Sequence, residues 1–542
     1  MEIRNIKIPA LALVLSICAF ALFLNVGSYG VIETSDARYA EISREMFESG
    51  EFIHPTLLGI KHYHKPPLTY YVTALSYSIF GVNSFAARFF IQLAILIQIL
   101  FVYRLAKLLF NDKQTALWSS LIYISLPIVL ISSRNLTTDP YLNTFVILSI
   151  YYWVKYRKTG VFLKLYAFAL FMGLGFLTKG PLILIFPIAF VIAFNFIEPP
   201  KNKFGYQHII ASILFFAVAG TWFYIVINEN HDLLNYFLGH QTVDRIAKDV
   251  FNRAKPFWYY MALAPAVGIP WLLFLPFMFS ANWKSIVRSK IILVLLVAIF
   301  IPFLILSLSS SKLVPYILPL YPLIAILIAH LIRQYGLNKT HLNIILVYTV
   351  VLGCAGILAT VIPNPYTFSY TIIVLSLLLW GTVFMIIKSN SLNLNTKTIY
   401  TVFVSSLFLL VVSGSIFATN SIEANSTYPV ASFIKSHQLQ NREILVYNRR
   451  VPSLSFHLQK PIVSIFDGSD DLNREIQFEE NEDWKQNLIN FQNKGEIEGF
   501  KNRLNSRKSV LILYKNRLPK EKEWLLDYYN NKEDMKKWQI YY

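Results

Sequence analysis

Long hydrophobic runs alternate with short polar segments through about the first 420 residues of the chain. Most of these runs have the ~17–25 residues that an α-helix needs to cross a bilayer. The pattern therefore predicts thirteen membrane-spanning helices. Their expected bounds are 8–26, 85–109, 115–133, 139–156, 163–178, 181–198, 207–227, 257–279, 289–308, 314–333, 342–362, 367–387 and 398–418.

The pattern changes near residue 420, where the chain becomes polar and charged. The short apolar segments 443–450, 461–466 and 509–515 indicate buried strands, and the polar segment 483–504 favours a helix. We therefore expect a small α/β domain over 420–542, following a membrane domain over 1–419. The C-terminal segment contains no phosphate-loop or catalytic signature, so stability, substrate access or partner contact are its expected roles.

Composition supports a membrane protein, because 55% of the 542 residues are hydrophobic and only 15% are charged. The first run is longer than the apolar core of a signal peptide, and no clear cleavage site follows it, so we expect a retained helix. Cys18 and Cys354 both lie in apolar runs. A disulfide or a cysteine metal site is therefore not expected.

Basic residues concentrate in alternate loops, and such loops usually face the cytoplasm. With the N-terminus inside, every predicted inner loop is basic, which accounts for much of the net charge of +18 without a nucleic-acid partner. An odd number of spans places residues 420–542 outside. The long loops 27–84 and 228–256 also lie outside and are expected to contribute to an active site.

Three cations depart from this charge pattern, because Arg134, Lys179 and Lys312 lie at predicted outer helix ends. An anionic ligand such as a lipid phosphate would explain all three. The alternative is that each side chain simply extends from the apolar layer to the interface.

Carboxylates lie at the same predicted face. Glu33 and Asp36 follow the first span, and Asp139 opens the fourth. A carboxylate can take a proton from an acceptor, and a cation can stabilise a phosphate leaving group. The combination suits group transfer from a phosphate-linked lipid. For Asp36 the structural alternative is a cap at the start of the helix expected from residue 37.

Two histidines, His62 and His64, alternate in the first long loop. On a strand they would share one face, and with a carboxylate they could bind a divalent metal. Two solvated loop histidines are the alternative. No other cofactor is expected.

Four stretches resemble a known family: SDARYAEISREM (35–46), GIKHYHKPPLTYYVTALSYSIFGVNSFAARF (59–89), FLTKGPL (176–182) and KLVPYILPLYP (312–322). They are similar to the integral-membrane glycosyltransferases of the GT-C fold. The most similar branch is the ArnT-like lipid A aminoarabinose transferases, and the wider group includes the protein O-mannosyltransferases. The opening eighty or so residues carry the most specific part of this resemblance.

The resemblance implies a donor sugar on a polyprenyl phosphate, usually undecaprenyl phosphate, in the bacterial inner membrane. The acceptor would be lipid A, a glycan or a protein at the periplasmic face. Asp36 matches the family's acidic motif, but Ser35 stands where its first carboxylate is usual, so Glu33 is a candidate substitute. Lys65 matches the lysine of an E-K-P-P turn in which His64 replaces the glutamate.

The resulting hypothesis is a polytopic α-helical membrane glycosyltransferase with a small extracytoplasmic α/β domain. Its catalytic candidates are Asp36, Glu33 and Asp139. Its substrate-binding candidates are Arg38, Tyr39, Lys65, Arg134, Lys179, Lys312 and Tyr316.

Two alternatives remain open at this point. A polyprenyl-lipid transporter or flippase would place ionisable groups near the membrane midplane and often has repeated halves. Here the charges cluster at one face and no internal repeat is evident. A non-catalytic assembly subunit would suit the outer domain but would leave the cluster of acids and cations unexplained.

Overall fold

The computed structural model describes residues 9–199, 204–243, 254–472, 476–515 and 517–542. The chain forms two compact units, Met1–Asn25 with Ile91–Ile416 and Val26–Phe90 with Phe417–Tyr542. The second unit therefore contains the predicted loop 27–84 as well as the C-terminal region. Part of the predicted loop 228–256 lies outside the described residues. The proposed division into 1–419 and 420–542 stays a prediction.

Helices dominate the fold. In chain order they are α1 Ala10–Phe23, α2 Ser35–Ser49, α3 Leu68–Phe80, α4 Ser84–Phe110, α5 Lys113–Ile124, α6 Pro127–Ser133, α7 Thr138–Thr159, α8 Phe162–Lys179, α9 Leu182–Ile197, α10 Tyr206–Glu229, α11 Asp232–Asn235, α12 Tyr259–Val267, α13 Trp271–Arg288, α14 Lys290–Leu308, α15 Tyr321–Tyr335, α16 Lys339–Val361, α17 Thr371–Lys388, α18 Leu394–Thr419, α19 Tyr428–Ser436, α20 Pro452–Leu458 and α21 Lys494–Ser506. A π-helix spans Tyr236–Val243, and 3₁₀ helices span Val314–Leu320, Asp470–Leu472, Ile476–Phe478, Asp483–Gln486 and Lys520–Tyr528.

Each of the thirteen predicted hydrophobic runs coincides with a helix or a bent pair of helices. Within the described residues, eight helices are long and apolar enough to cross a membrane, or up to ten if each bent pair is one span. The bends are 61° between α5 and α6 and 108° between α12 and α13. In each pair a proline, Pro127 or Pro270, lies at the start of the second helix, where it interrupts helical hydrogen bonding. The protein is a multi-pass membrane protein, and thirteen crossings stay a prediction.

The core of the first unit is built from apolar helix faces around large buried side chains. Trp118, Tyr123 and Trp271 are at most 1% exposed. The Trp271 indole donates a hydrogen bond of 2.7 Å to the Ser125 hydroxyl, which satisfies the polar atom of a buried ring. The helices of this unit are therefore fixed by packing and by a few internal hydrogen bonds.

The second unit contains two sheets. The strands are β1 Thr56–Leu57, β2 Ile60–Lys61, β3 Glu443–Tyr447, β4 Val463–Phe466, β5 Leu488–Asn490, β6 Ser509–Tyr514, β7 Lys532–Met535 and β8 Trp538–Tyr541. β1 and β2 form a hairpin, and the other six strands form a sheet in the order β5-β4-β3-β6-β8-β7. β5, β4, β3 and β6 run parallel, while β8 pairs antiparallel with both β6 and β7.

The predicted α/β character of this region is confirmed, because the three predicted strands are β3, β4 and β6. The helix predicted over 483–504 is wrong in its first half. That segment contains β5, and only its second half belongs to α21. Ile489 of β5 pairs with Ile465 and is 6% exposed, so sheet packing decides the conformation of this three-residue strand. A strand this short leaves no alternation to detect in the sequence.

The helix expected from residue 37 is confirmed as α2. It ends at Gly50, whose φ of 71° gives the left-handed cap that glycine adopts without steric cost. A second glycine, Gly59, occupies the hairpin turn between β1 and β2 with φ of 68°. These turns fix the order helix, hairpin and helix through residues 35–80.

Candidate functional site

Asp36 lies in the first turn of α2 and forms a buried ion pair with Arg88 of α4. The side chains are 2% and 0% exposed, respectively. Arg88 Nε donates to Asp36 Oδ1 at 3.2 Å, and its Nη2 also contacts the carboxylate. The Ile32 backbone N–H donates to Asp36 Oδ2 at 2.8 Å. The carboxylate is therefore held by a bidentate guanidinium and a backbone donor.

Arg88 also holds the chain segment that leads into α2. Its guanidinium donates to the carbonyls of Val26, Tyr29 and Gly30 at 3.0–3.2 Å. The same group lies 4.1 Å from the centre of the Tyr29 ring. One buried cation thus connects Asp36 to three backbone positions, which fixes the position of this carboxylate.

The capping alternative for Asp36 is not what the structure shows. Thr34 is the N-cap residue of α2, and its side chain makes no capping hydrogen bond. Asp36 instead accepts a hydrogen bond from Ile32, which precedes the helix. The catalytic role of Asp36 stays a prediction.

Other charges of the stretch 31–46 have structural partners. Arg44 donates to Glu41 through two nitrogens at 2.6 and 2.8 Å, and both side chains are nearly inaccessible. Burial raises the pKa of Glu41 to about 7, against the opposing effect of Arg44. Glu45 accepts a hydrogen bond of 2.6 Å from the Thr56 hydroxyl. Much of this charged stretch is therefore used to hold α2 in place.

Glu33 is, like Glu41, a carboxylate of this unit whose pKa is raised toward neutral pH. Its Oε1 accepts a hydrogen bond of 2.7 Å from the Ser453 backbone N–H. Burial raises the pKa of Glu33 to about 7, although Ser453, Arg450 and Arg449 act in the opposite direction. A general base works best when its pKa lies near the working pH.

His457 of α20 is a neighbour that sequence reasoning missed. Its Nε2 accepts a hydrogen bond of 3.1 Å from the Val31 backbone N–H. Burial, followed by the charge of Arg88, lowers the pKa of His457 to about 3. The imidazole is therefore neutral at physiological pH and acts as a hydrogen-bond acceptor beside the segment that carries Glu33.

The remaining candidates of the first loop are Arg38, Tyr39 and Lys65. Tyr39 is 4% exposed and stacks on Tyr70 with ring centres 5.7 Å apart. The Arg38 guanidinium lies 5.3 Å from the Tyr39 ring centre. Lys65 is half-buried in the turn that precedes α3. Their substrate-binding roles stay predictions.

The structure places the rings of His62 and His64, the two proposed metal ligands, close together. The two rings lie 4.0 Å apart, centre to centre. Within the described parts of the chain, no group of three or more His, Cys, Asp or Glu residues is close enough to hold a metal ion. Because a protein zinc site uses three or four such ligands, two histidines do not make a complete donor set.

The first unit contains a separate charged cluster. Asp139 in the first turn of α7 forms an ion pair with Lys179 at the end of α8, and the side chains are 9% and 5% exposed. The Lys179 ammonium also lies 4.3 Å from the centre of the Tyr316 ring. Three residues predicted from sequence are thus brought together by three different helical segments.

Buried polar side chains support the helix turn that follows Asp139. Gln98 of α4 donates to the Pro140 carbonyl at 2.7 Å and to the Thr144 hydroxyl at 2.8 Å. Asn143 donates to Gln98 at 3.1 Å and to the Tyr123 hydroxyl at 2.7 Å. This network fixes the start of α7, and with it the carboxylate of Asp139.

Lys312 lies four residues before Tyr316, just ahead of the 3₁₀ helix Val314–Leu320. Its ammonium donates to the Lys255 carbonyl at 2.8 Å and to the Ser309 carbonyl. Desolvation lowers the pKa of Lys312. The Lys312 ammonium is therefore held by backbone carbonyls, four residues before Tyr316 in the chain.

Arg134 has the environment of a structural residue. Its guanidinium donates to the carbonyls of Ala21, Leu22 and Leu24, at the end of α1, and to Leu410 of α18, at distances of 2.8–3.3 Å. The side chain thus compensates the free carbonyls of a helix C-terminus. Its proposed phosphate-binding role stays a prediction, and this geometry favours helix capping.

Known proteins are similar to this chain in sequence and in fold. A family model described as dolichyl-phosphate-mannose-protein mannosyltransferase matches residues 64–225. Undecaprenyl phosphate-alpha-4-amino-4-deoxy-L-arabinose arabinosyl transferase 1 of Pseudomonas fluorescens is 31% identical over 358 residues, 65% of each chain. The transferase 2 of Proteus mirabilis is 29% identical over 396 residues, 70% of this chain and 71% of its own.

The crystal structure of ArnT from Cupriavidus metallidurans bound to undecaprenyl phosphate matches 98% of both chains with a TM-score of 0.79, at 18% identity. The chain is similar in sequence to these aminoarabinose transferases and shares the GT-C fold of ArnT. The family resemblance and the fold class predicted from the sequence are thereby confirmed. The chain spans just under two thirds, 65%, of the length of the Pseudomonas relative.

Sequence reasoning missed Arg88 and His457. A signal for Arg88 was present, because a charged residue inside a long apolar helix needs a partner and marks an important site. His457 had no such signal, since its role depends on a backbone N–H that is 426 residues away in sequence.

Proposed function

We propose that this ArnT-like protein transfers a sugar from undecaprenyl phosphate, or a related polyprenyl phosphate, to an acceptor such as lipid A, a glycan or a protein. The names of the relatives from Pseudomonas and Proteus support the donor and the transfer of an amino sugar. The ArnT crystal structure with undecaprenyl phosphate supports the same lipid carrier.

The observation that carries the proposal is the buried cluster of Asp139, Lys179 and Tyr316. The Lys179 ammonium lies against a carboxylate and an aromatic ring and is largely shielded from water. Such a cation stabilises charge that develops on a phosphate as it leaves. Lys312, just ahead of the same 3₁₀ helix, is proposed to add a second cation for the donor phosphate.

The proposed step is a direct displacement. An acceptor oxygen or nitrogen forms a bond to the anomeric carbon of the donor sugar, while the bond from that carbon to the phosphate oxygen breaks. The electron pair of the broken bond stays on the polyprenyl phosphate, and the acceptor proton passes to a carboxylate. This path inverts the anomeric centre and needs no other reactant.

Asp36, Glu33 and Asp139 are the proposed carboxylates for the acceptor. Asp36 is the family's acidic position, but its ion pair with Arg88 suits an orienting role better than proton abstraction. Glu33, with its pKa near 7, is better suited to take the proton. Arg38, Tyr39, Lys65 and Arg134 remain proposed substrate contacts.

The proposed location is the bacterial inner membrane, with the N-terminus cytoplasmic and residues 420–542 periplasmic. The basic loops predicted for the inner face support this orientation. The chemistry would then take place at the periplasmic face.

A transfer assay in proteoliposomes tests the function. Labelled aminoarabinose and other labelled sugars on undecaprenyl phosphate serve as donors, and lipid A or a crude outer-membrane extract serves as acceptor. We expect label to move to an acceptor and to be lost in Asp36→Asn. Full transfer by both Asp36→Asn and Lys65→Ala, correctly inserted, would contradict the proposed site. Labelled donor that crosses the bilayer unchanged would favour a flippase.

The pH dependence of transfer tests the role of Glu33. If Glu33 accepts the proton, its ionised form is required, so the rate should rise with pH through an apparent pKa near 7. Glu33→Gln should lose this limb of the profile. Glu423→Gln is a matched control, because the pKa of Glu423 is lowered, chiefly by its hydrogen bond to Lys536. An unchanged limb in Glu33→Gln would assign the titration to another group.

The pH dependence of folding stability tests the pKa of Glu33 independently of activity. The pKa of Glu33 is raised in the folded protein, from 4.5 to about 7. The folded protein therefore holds a proton that the unfolded chain releases, and this contribution to stability decreases as pH rises from about 4.5 to 7. Glu33→Gln should flatten that decrease.

A further inference from the structure

A cavity of about 820 Å³ lies in the first unit, away from the cluster of Asp139 and Lys179. It is formed at the ends of α7 and α9 and the beginnings of α10 and α14. Its volume falls in the range of small-molecule sites. The lining residues used below are Trp153, Arg157, Lys158, Phe194, Phe204 and Lys290.

Helix α7 separates this cavity from the candidate catalytic cluster. Asp139 lies in the first turn of α7, whereas Arg157 and Lys158 lie in its last turn. The helix has 22 residues, which gives it a length of roughly 33 Å. The next helix, α8, begins two residues after Gly160 of the cavity, ends at Lys179 and is long and apolar enough to cross a membrane. The cavity and the cluster therefore lie at opposite ends of a candidate span.

The cavity carries net positive charge. Among the described residues that line it, the cations are Arg157, Lys158 and Lys290, and the carboxylate is Glu198. The Arg157 guanidinium donates to the Glu198 carbonyl at 2.8 Å and to the Asn195 side chain, rather than to the Glu198 carboxylate. Lys158 donates to the Leu108 carbonyl. Neutral oxygens position these two cations and leave their charge available to an anion.

Aromatic rings lie beside the charges. The Arg157 guanidinium is 5.4 Å from the Phe194 ring centre and 5.9 Å from that of Trp153. Phe204 also lines the cavity and is 77% exposed, and Phe196 nearby is 89% exposed. Cations together with exposed aromatic rings at the ends of spanning helices are typical of the membrane interface.

The helices that begin at the cavity are themselves candidate spans. Tyr206–Glu229 and Lys290–Leu308 are both long and apolar enough to cross a membrane. The cavity therefore opens where apolar helices meet the polar boundary of the bilayer. An anion with an apolar tail matches this combination better than a fully soluble one.

We propose that this cavity binds the anionic headgroup of a membrane phospholipid at the face opposite the proposed chemistry. Arg157, Lys158 and Lys290 contact the phosphate oxygens, for which a guanidinium provides directional donors. Phe204, which is 77% exposed, contacts the glycerol and the upper acyl chains, while Trp153 and Phe194 lie against the Arg157 guanidinium. The site is independent of sugar transfer, so its test needs no donor or acceptor.

Native mass spectrometry of the purified full-length protein measures this binding. Phosphatidylglycerol, phosphatidylcholine and inorganic phosphate are the probes. We expect phosphatidylglycerol to be retained in preference to phosphatidylcholine. In Lys158→Gln/Lys290→Gln its apparent affinity should fall about tenfold or more, because each interfacial cation contributes to the attraction. Arg157 is kept in this variant because its bonds connect α7 to the end of α9.

Lys113→Gln/Lys339→Gln is the matched control, since both residues belong to predicted loops of the same face and neither lines the cavity. We expect this pair to retain phosphatidylglycerol as the wild type does. Equal weakening in both pairs would overturn the proposal, as would equal retention of phosphatidylcholine. Displacement of the lipid by inorganic phosphate at equal concentration would also overturn it and would assign the site to free phosphate.

Discussion

Replacing Lys179 with glutamine is expected to lower the rate of sugar transfer by about a hundredfold or more. The side chain then no longer supplies the charge that stabilises the departing phosphate, and the loss of one such group has an effect of roughly this size. The measurement is kcat and KM with a labelled polyprenyl-phosphate donor in proteoliposomes. Because charge develops in the transition state, we expect kcat to change more than KM.

Lys164→Gln is a close control for this variant. Lys164 lies near the other end of the same helix, α8, and its ammonium also faces a tyrosine ring, that of Tyr152, at 5.9 Å. We expect its activity to match the wild type. A similar loss in both variants would show that the effect arises from the helix and not from the cluster.

A double variant separates the effect of Lys179 on sugar transfer from its effect on protein stability. Lys179→Gln alone leaves the carboxylate of Asp139 buried without its cation, which destabilises a protein. Asp139→Asn/Lys179→Gln removes both charges and should restore most of the thermal stability while transfer stays low. Recovery of full transfer in the double variant would refute a role for Lys179 on the phosphate.

Replacing Arg88 with methionine is expected to cost about 3–5 kcal/mol of stability, because it leaves Asp36 buried and unpaired. It also removes the donors to the carbonyls of Val26, Tyr29 and Gly30. The measurement is the midpoint of thermal unfolding of the detergent-solubilised protein. Adding Asp36→Asn should recover part of the loss, since the stranded charge is then gone.

An exposed ion pair provides the control for Arg88. Arg333 and Asp112 are 3.2 Å apart, with side chains 52% and 35% exposed. Arg333→Met should therefore change stability by about 1 kcal/mol or less. If both arginine variants had equal effects, burial of the Asp36 pair would not be the cause.

Local patterns in the sequence predicted a large part of this protein. The hydrophobic runs 85–109 and 314–333 coincide with the candidate spans Ser84–Phe110 and Val314–Tyr335 within one or two residues, because length and apolarity are local properties. Strands β3 and β6 were also found, since their apolar residues form continuous runs. β5 was missed because its extended conformation depends on its pairing with β4 and leaves no local pattern in the sequence.

The sequence by itself determined a multi-pass helical membrane protein with a C-terminal α/β sheet, and its motifs indicated the resemblance to ArnT-like glycosyltransferases. Only the tertiary structure decided which charges meet. Asp36 pairs with Arg88, 52 residues away, and Asp139 with Lys179, 40 residues away. The same packing places the Arg134 guanidinium within hydrogen-bond distance of the carbonyls of Leu22 and Leu410. Periodicity records which face of a helix is apolar, but the partner of a buried charge depends on which helices pack together.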